Sequence, residues 1–216
     1  MESVQTFQAL VGARLWAAVV AAGTAREYAR GAVLLRQGEP GGQVLALLRG
    51  RVRVMVSDVS GAQLLVSLRG PGDLVGELAP EAGVTRTASV VALDRCTVAV
   101  LGAAVLDGVL AGGARGAVRE YLRIKLVAMV GAVPVVHLSS GARVARLLLE
   151  VIDRAEGSDR RVPLSQEAVA EALGMARSTV AEQIAELRRC GALGRGPRLV
   201  VVDRSELARR AGLSIG

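Results

Sequence analysis

One segment of the chain concentrates side chains that could hold a phosphorylated ligand: residues 76–90, GELAPEAGVTRTASV. A short helix beginning near Glu77, preceded by Gly76, would expose backbone N–H groups suited to an anion. Arg86 adds a fixed positive charge and Thr87 a hydroxyl donor, which together suit one phosphate. Glu77 only accepts hydrogen bonds and would suit a sugar hydroxyl. The segment therefore predicts a ribose-phosphate site; the plainer interpretation is a surface ion pair between Glu77 and Arg86.

A second segment, residues 163–211, alternates helical patterns with tight turns. The predicted helices span Gln166–Leu173 and Arg177–Arg189, and Gly174 lies in the turn between them. The second helix directs three apolar residues inward: Val180, Ile184 and Leu187. A glycine-rich stretch, a wing strand and a closing helix are predicted next, over residues 191–197, Leu199–Val202 and Arg204–Ala211. The alternative is an ordinary helical hairpin with a surface arginine.

Other chemically reactive side chains are few. His137 is the only histidine, and a metal site needs further ligands, so a packing or hinge role is favoured. Cys96 and Cys190 are isolated, which indicates neither a disulfide framework nor a cysteine metal cluster and excludes the usual iron–sulfur oxygen sensor. Walker-type and GxSxG motifs are also lacking in the sequence. We therefore expect no metal site and no enzymatic activity.

Short β-prone runs recur between residues 26 and 101, with glycines between them. In chain order they are Ala32–Leu35, Val44–Leu48, Val52–Val56, Leu64–Leu68, Ala88–Ala92 and Thr97–Leu101. Short strands at this spacing with glycine turns indicate an antiparallel sandwich or barrel of the jelly-roll type. The segment 76–90 would then lie in a pocket of this β-structure.

Helical patterns flank the β-prone region, over Leu10–Ala22, Ala114–Val133 and Ser140–Ile152. Pro134 should end or kink the middle helix, because it lacks a backbone donor and clashes with the preceding turn. A stripe with a spacing close to 3.5 favours a coiled-coil-like dimer seam. Its members are Val118, Leu122, Met129 and Val136, and Leu126 and Val133 widen the stripe. Lys125 and Ala132 occupy seam positions that prefer bulky apolar residues. The alternative is a helix packed on its own β-domain.

The bulk composition limits the class of protein. A length of 216 residues with 51% apolar residues suits two compact modules with sizeable cores. The net charge of +7 suits a partner with phosphates. The excess of basic residues is spread over both halves, with 14 basic and 10 acidic residues in 1–138 and 13 basic and 10 acidic residues in 139–216.

The apolar stretch Leu15–Ala22 lacks a basic segment before it, so signal cleavage is not expected. No apolar run is long enough for a membrane span, and we expect a cytoplasmic protein.

Two motifs together resemble those of one known family. Gly76-Glu77-Leu78-Ala79, followed nine positions after Glu77 by Arg86-Thr87-Ala88-Ser89, is similar to the phosphate-binding cassette of the cyclic-nucleotide-binding domain. Residues 164–193, LSQEAVAEALGMARSTVAEQIAELRRCGAL, are similar to the helix-turn-helix of the CRP/FNR family of transcription regulators. The resemblance covers nearly the whole chain.

The resemblance implies roles for the cassette. Arg86 and Thr87 would bind the cyclic phosphate, and Glu77 would bind the ribose 2′-hydroxyl. Family members that respond to cyclic AMP usually place hydroxyl side chains from the long helix against the adenine. This chain has Ala128 and Met129 at those positions, and neither can bond the exocyclic amine. The resemblance therefore implies a cyclic nucleotide, cyclic AMP or cyclic GMP, as the effector. It does not imply which base that nucleotide carries.

The resemblance also implies a DNA interface. Arg177, Ser178 and Thr179 would open the recognition helix, where an arginine can donate two hydrogen bonds to guanine O6 and N7. Thr179, Ser165 and Gln166 would contact phosphates and set register.

Two departures from the family pattern affect this interface. Ala176 replaces a frequent capping serine, which costs the helix about 1 kcal/mol. Glu182 replaces a second base-reading arginine; it can accept from cytosine N4 but repels phosphate. We therefore expect an operator unlike the family consensus and weaker binding. Arg195 and Arg198 would touch phosphates from the wing or remain solvated surface charges.

These observations combine into one prediction. The fold is α+β, with an N-terminal antiparallel β-roll of jelly-roll type, a long dimerisation helix and a C-terminal winged helix-turn-helix. The expected domains are 1–112 for effector sensing, 113–138 for dimerisation and the hinge, and 139–216 for DNA binding. The predicted function is a homodimeric regulator that binds double-stranded DNA under control of a small effector, with RNA polymerase as a further expected partner. The alternative keeps the β-roll only as a dimerisation scaffold.

Overall fold

The N-terminal half is built on eight short strands. The computed structural model describes residues 5–59, 61, 63–78, 83–112, 114, 116–131 and 137–213, without the side chains of 129–131. The strands are β1 (Thr24–Tyr28), β2 (Val33–Leu35), β3 (Gln43–Arg49), β4 (Val52–Ser57), β5 (Gln63–Arg69), β6 (Leu74–Val75), β7 (Ser89–Ala92) and β8 (Cys96–Gly102). The six predicted strands are confirmed. β1 and β6 were not predicted, because β1 (TAREY) is mostly exposed and β6 has only two residues.

The strands form two antiparallel four-stranded sheets. Their orders are β1-β8-β3-β6 and β2-β7-β4-β5. In the first sheet Leu45 of β3 lies opposite Val100 of β8, and in the second Val54 of β4 lies opposite Val90 of β7. A core of buried aliphatic residues from both sheets fills the space between them, including Leu45, Leu47, Val52, Val75, Val90 and Val98. The chain therefore has the antiparallel sandwich that its glycine-punctuated strands predict.

Three helices cover one end of the sandwich: α1 (Phe7–Ala21), α2 (Ala103–Leu110) and α3 (Ala117–Gly131). Their common core holds three of the chain's four aromatic rings, and Phe7 meets Tyr121 edge-on at 5.5 Å between ring centroids. α1 begins three residues before the predicted start, because Thr6 caps it by accepting from the Ala9 N–H. The sequence analysis did not predict α2.

The long helix α3 begins at Ala117, three residues after the predicted start, and its predicted continuation to Val133 lies outside the described residues. The predicted stripe includes both inward-facing and exposed residues. Val118 packs on the core of its own β-domain, and Lys125 bonds to Asp73 of that domain. Leu126 and Val127 are instead more than half exposed. The predicted seam positions Ala132 and Val136, with Pro134 of the predicted kink, lie outside the described residues.

The C-terminal half is a helical unit with a two-stranded ribbon. Its elements are α4 (Ser140–Asp153), β9 (Arg161–Val162), α5 (Gln166–Leu173), α6 (Arg177–Arg189), β10 (Leu199–Val200) and α7 (Arg204–Arg210). α5 and α6 have the predicted bounds, and the three inward residues of α6 are buried as predicted. β10 pairs with β9, which the sequence analysis did not predict. None of the described helices is long and apolar enough to cross a membrane.

The two halves share part of one hydrophobic core. Leu68 at the end of β5 and Leu93 after β7 belong to the buried cluster around α4, α5 and α6. Arg51, only 2% exposed, adds polar contacts: it donates to Asp94 and to the carbonyl oxygens of Val151 and Arg161. The sandwich and the helical unit are therefore joined by apolar packing and by hydrogen bonds.

Candidate functional site

The segment around Gly76 closes over a small cavity in the sandwich. Its wall is formed by Leu35, Val54, Arg69, Val75, Gly76, Glu77, Leu78, Arg86, Thr87, Ala88 and Val90. Six of the eight predicted ligand-binding residues thus lie in one wall. The cavity volume is about 50 Å³, whereas sites for drug-sized ligands measure roughly 300–1,000 Å³. A nucleotide can therefore enter only if the walls move apart.

Gly76 sits where the chain passes closest to its neighbours. Its φ of +87° is a conformation that side chains rarely adopt. A Cβ there would lie 2.7 Å from Nη1 of Arg86 and 2.9 Å from the carbonyl oxygen of Gln43. Only glycine therefore allows the backbone to lie against the Arg86 guanidinium.

Arg86 is held firmly at this position. It is 6% exposed, and it donates from Nη1 to the Gly76 carbonyl at 2.9 Å and from Nη2 to the Gln43 carbonyl at 2.7 Å. Burial lowers the pKa of Arg86, while Glu77 and Glu39 act in the opposite direction. A guanidinium has five N–H donors, and the hydrogen bonds to the described residues use two of them.

Glu77 is buried beside Arg86, with 8% of its surface exposed. Burial raises the pKa of this carboxyl, and the nearby charge of Arg69 is the main factor that opposes the rise. The surface ion pair considered from the sequence is therefore wrong, because both side chains are buried and Arg86 bonds to backbone carbonyls. A buried acceptor facing a cavity can receive a hydroxyl hydrogen bond from a ligand.

The other predicted ligand residues differ in their placement. Leu78 and Thr87 are exposed at the cavity rim, and Ala88 is half-buried. Glu77 and Leu78 form a turn, and the continuation of the predicted helix over 79–82 lies outside the described residues. Ala128 is exposed on α3 and does not line the cavity, while the side chain of Met129 lies outside the described part.

Asp73, three residues before Gly76, is the centre of a buried charge cluster that the sequence analysis missed. It is fully buried and accepts from Tyr121 Oη at 2.8 Å, Lys125 Nζ at 2.9 Å and Arg154 Nη1 at 2.8 Å. Burial alone would raise the pKa of Asp73, but the charges of Lys125, Arg154 and Arg69 and the Gly70 N–H together hold the pKa below its usual value. Because Tyr121 and Lys125 lie on α3 and Arg154 caps α4, this Asp73 cluster joins the cavity segment to both helices.

The predicted DNA-contacting residues of α6 lie at its exposed start. Arg177 and Ser178 are exposed, Thr179 is half-buried, and Glu182 is exposed one turn further on. Arg177 forms a surface ion pair with Glu167 of α5. The helix start therefore presents polar side chains to solvent, with its first arginine already engaged by a carboxylate.

The turn between α5 and α6 follows the local signals of the sequence. Ser165 caps α5 by accepting from the Ala168 N–H at 3.1 Å, and Gly174 ends that helix in the left-handed conformation with φ of +59°. Gln166 is half-buried in the first turn. α6 has Ala176 at its N-cap and no side-chain capping bond, as the sequence predicts.

The predicted wing projects beside these helices. Arg195 and Arg198 are both exposed in the loop before β10. Arg188 of α6 donates to the Gly196 carbonyl in the middle of this loop. The wing is thereby fixed to the helix that begins with Arg177.

Known proteins share both halves of this arrangement. The profile of the cyclic nucleotide-binding domain matches residues 25–112, and that of the Crp-like helix-turn-helix domain matches residues 142–210. The chain is 26% identical over 196 residues to the CRP-like cAMP-activated global transcriptional regulator of Mycobacterium tuberculosis, covering 86% of this chain and 87% of that protein. A solved CRP-family transcriptional regulator from Thermus thermophilus superposes with a TM-score of 0.73 at 26% identity, covering 88% of this chain and 98% of the other.

A further relative establishes the family. Transcriptional regulator LdrP of Thermus thermophilus is 30% identical over 201 residues, which cover 88% of this chain and 98% of that protein. The chain belongs to the CRP/FNR family of transcription regulators.

Proposed function

We propose that this regulator binds its operator as a homodimer and that a cyclic nucleotide in the cavity around Gly76 controls the binding. The observation that carries the proposal is the burial of Glu77 and Arg86 in the wall of one cavity, against a glycine that no other residue could replace. Buried charged groups are costly unless they are paired or bind a ligand. Cyclic AMP and cyclic GMP both supply the phosphate and the ribose hydroxyl that would match these groups.

Each polar group of the cavity has a matching part of the nucleotide. The N–H donors of Arg86 and the hydroxyl of Thr87 suit the cyclic phosphate. The Glu77 carboxylate suits the ribose 2′-hydroxyl. Ala128 and Met129 would approach the base only if α3 moves toward the opened cavity, since Ala128 does not line it in the closed state.

The Asp73 cluster supplies a route from the cavity to the DNA-binding half. A ligand that opens the cavity moves the segment that holds Gly76 and Glu77, and Asp73 belongs to the same segment. Asp73 in turn bonds to Lys125 on α3 and to Arg154 at the end of α4. Ligand binding would therefore shift the population between two arrangements of these helices, provided that the two arrangements bind the ligand with different affinity.

Dimerisation through α3 would complete the DNA-binding unit. Leu126 and Val127 are exposed apolar residues on this helix and suit a symmetric partner helix. A two-fold dimer would present two α6 helices to successive major grooves, about 34 Å apart. The proposed domains are 1–112 for sensing, 113–138 for dimerisation and 139–216 for DNA binding.

The start of α6 would read the operator. Arg177 suits guanine, Glu182 suits cytosine, and Ser165, Gln166, Ser178 and Thr179 suit phosphates or neighbouring base edges. Arg195 and Arg198 would add phosphate contacts from the wing. Their exposure supports these roles, because no rearrangement of the core is needed to reach DNA.

Calorimetric titration of the purified protein with cyclic AMP and cyclic GMP tests the effector site. We expect stoichiometric binding of a nucleotide that is lost in Arg86→Ala and weakened in Glu77→Gln. Arg95→Ala is the control, because Arg95 is an exposed arginine that does not line the cavity. Thermal unfolding of each variant separates loss of the site from loss of the fold. Unchanged binding in a folded Arg86→Ala variant would contradict the proposal.

Selection of DNA sequences, followed by anisotropy titrations with and without nucleotide, tests the control of DNA binding. We expect the nucleotide to change operator affinity in the wild type and to have no effect in Arg86→Ala. Tight operator binding that no nucleotide changes, together with no thermal shift, would support the scaffold alternative.

A further inference from the structure

A cleft of about 910 Å³ lies between the sandwich and the helical unit. The sandwich contributes Arg30 and Arg49 to its lining, and the helical unit contributes Ser165 and Arg198. Ser165 at the start of α5 and Arg198 in the wing are also proposed phosphate contacts of the DNA-binding half. The cleft is therefore continuous with the proposed DNA interface.

The charged side chains of this cleft do not balance. Six arginines and four carboxylates line it, and the arginines are Arg30, Arg49, Arg51, Arg95, Arg161 and Arg198. Arg51, Arg95 and Arg161 form ion pairs with carboxylates of the cleft itself. Arg30, Arg49 and Arg198 form no ion pair with any described residue. The unpaired positive charge suits a partner with phosphates.

Arg51 fixes the two walls of the cleft to each other. All five of its N–H donors are directed to acceptors, which are the carboxylates of Asp94 and Asp159 and the carbonyl oxygens of Val151 and Arg161. Since no donor remains, Arg51 has a structural role and does not bind an anion. Its bonds hold the sandwich arginines beside the start of α5.

The two unpaired sandwich arginines keep donors available. Arg49, at the end of β3, is exposed, and its side chain has no hydrogen bond to a described residue. Arg30 is exposed and uses Nη2 to donate to the Pro163 carbonyl at 2.9 Å, two residues before Ser165. Exposed arginines with unused N–H groups are suited to phosphate oxygens.

The strand order places this positive surface away from the proposed dimer helix. Asp73, which precedes β6 at one edge of the first sheet, bonds to Lys125 of α3. Arg30 follows β1 at the opposite edge of that sheet, three strand spacings or roughly 14 Å away. The cleft therefore extends from β3 away from the proposed two-fold axis, toward DNA outside the two half-sites.

We propose that the cleft binds the phosphate backbone of the DNA that flanks the half-sites, with Arg30 and Arg49 as the contacting residues; the inference rests on the proposed DNA binding. A duplex seated on α6 and the wing has its backbone beside Ser165 and Arg198, and the flanking DNA meets the sandwich arginines next. Backbone contacts carry no sequence information, so they raise the affinity for longer DNA without changing the preferred bases. The sensing half thereby contributes directly to DNA binding.

Anisotropy titrations of the full chain with two duplexes test the inference. The short duplex ends at the outer base pairs of the selected operator, and the long duplex adds about 10 base pairs, one helical turn, on each side. Two arginines in each of two protomers should make the long duplex bind about tenfold more tightly at low salt and steepen the slope of log K against log salt by about 4. Arg49→Gln should remove about half of this difference in slope and leave the affinity for the short duplex unchanged.

Arg26→Gln is the matched control, because Arg26 is an exposed arginine of β1 that does not line the cleft. It should leave the affinity for both duplexes unchanged. The two duplexes are also compared on the wild type, so the test holds even if Arg49→Gln unfolds.

Equal salt slopes for the two duplexes in the wild type would overturn this inference and leave the proposed function intact. The same holds if Arg49→Gln keeps the full difference between the duplexes, or if it weakens both duplexes equally. Absence of sequence-specific binding to any duplex would overturn the proposed function as well.

Discussion

In the cavity around Gly76 the charged side chains are buried, and at the start of α6 they are exposed. Arg86 and Asp73 bond to backbone or to other charges, so their positions depend on the fold around them. Arg177 has only a surface ion pair with Glu167. The difference predicts that the buried charges contribute to stability as well as to the proposed ligand binding, whereas the exposed charges of α6 contribute only to the proposed DNA binding.

We expect the largest effect from Asp73→Asn, which measures how much a buried charge of the sensing half contributes to stability. The substitution leaves Lys125 and Arg154 buried without their carboxylate, and breaking a buried pair typically costs about 3–5 kcal/mol. Chemical denaturation should show a loss of this size in the free energy of unfolding. Glu27→Gln, which breaks the exposed pair with Arg95, should leave stability unchanged. Equal losses in the free energy of unfolding would contradict the expected difference between buried and exposed charges.

Arg177→Ala tests the proposed DNA contact of the first residue of α6. We expect operator affinity to fall by about 1–3 kcal/mol, with selectivity lost at one guanine position. The thermal midpoint should not change, because Arg177 is exposed and outside the core. Anisotropy titrations on the selected operator and on single-base variants measure both quantities. A large drop in the thermal midpoint of Arg177→Ala would contradict this expectation, since it would show that Arg177 stabilises the fold.

Ala176→Ser would supply the missing N-cap of α6. A serine hydroxyl can accept from a free N–H of the first turn and should stabilise the protein by about 1 kcal/mol. Ala181→Ser, at an exposed position within the same helix, is the control and should lower stability by about 0.5 kcal/mol. Denaturation curves that show the same change for both variants would rule out the capping explanation.

The smallest effect is expected from Glu167→Gln, which releases Arg177 from its surface partner. Exposed pairs are worth about 0–1 kcal/mol, so operator affinity should rise by no more than that. Glu171→Gln is the control on the same helix, because Glu171 lies near Arg53 rather than Arg177. Weaker operator binding in Glu167→Gln would mean that the ion pair positions Arg177 for DNA.

The parts of the structure that local signals determine could be predicted from the sequence. α5 and α6 have their predicted bounds because Ser165 and Gly174 mark the turn and the apolar spacing fixes the buried face. The same holds for the strands with apolar runs between glycines. β1 could not be found this way, since its side chains are polar and β8 supplies its pairing.

The Asp73 cluster was missed for a different reason. Tyr121, Lys125 and Arg154 lie 48, 52 and 81 residues from Asp73 in sequence. No periodicity or motif links such distant positions, so only the packing of α3 and α4 against the sandwich reveals them. Lys125 likewise bonds to Asp73 of its own domain, a contact that the helical spacing does not reveal.

The leucines that join the two halves limit how freely this protein could be recombined. Leu68 and Leu93 belong to the sandwich by sequence but are buried in the core of the helical unit. An isolated sandwich would expose both, and an isolated helical unit would lose part of its packing. A sensor exchanged with that of another regulator must therefore bring matching apolar residues at these two places. The two units of this regulator therefore depend on each other for packing, even though each has its own recognisable motif.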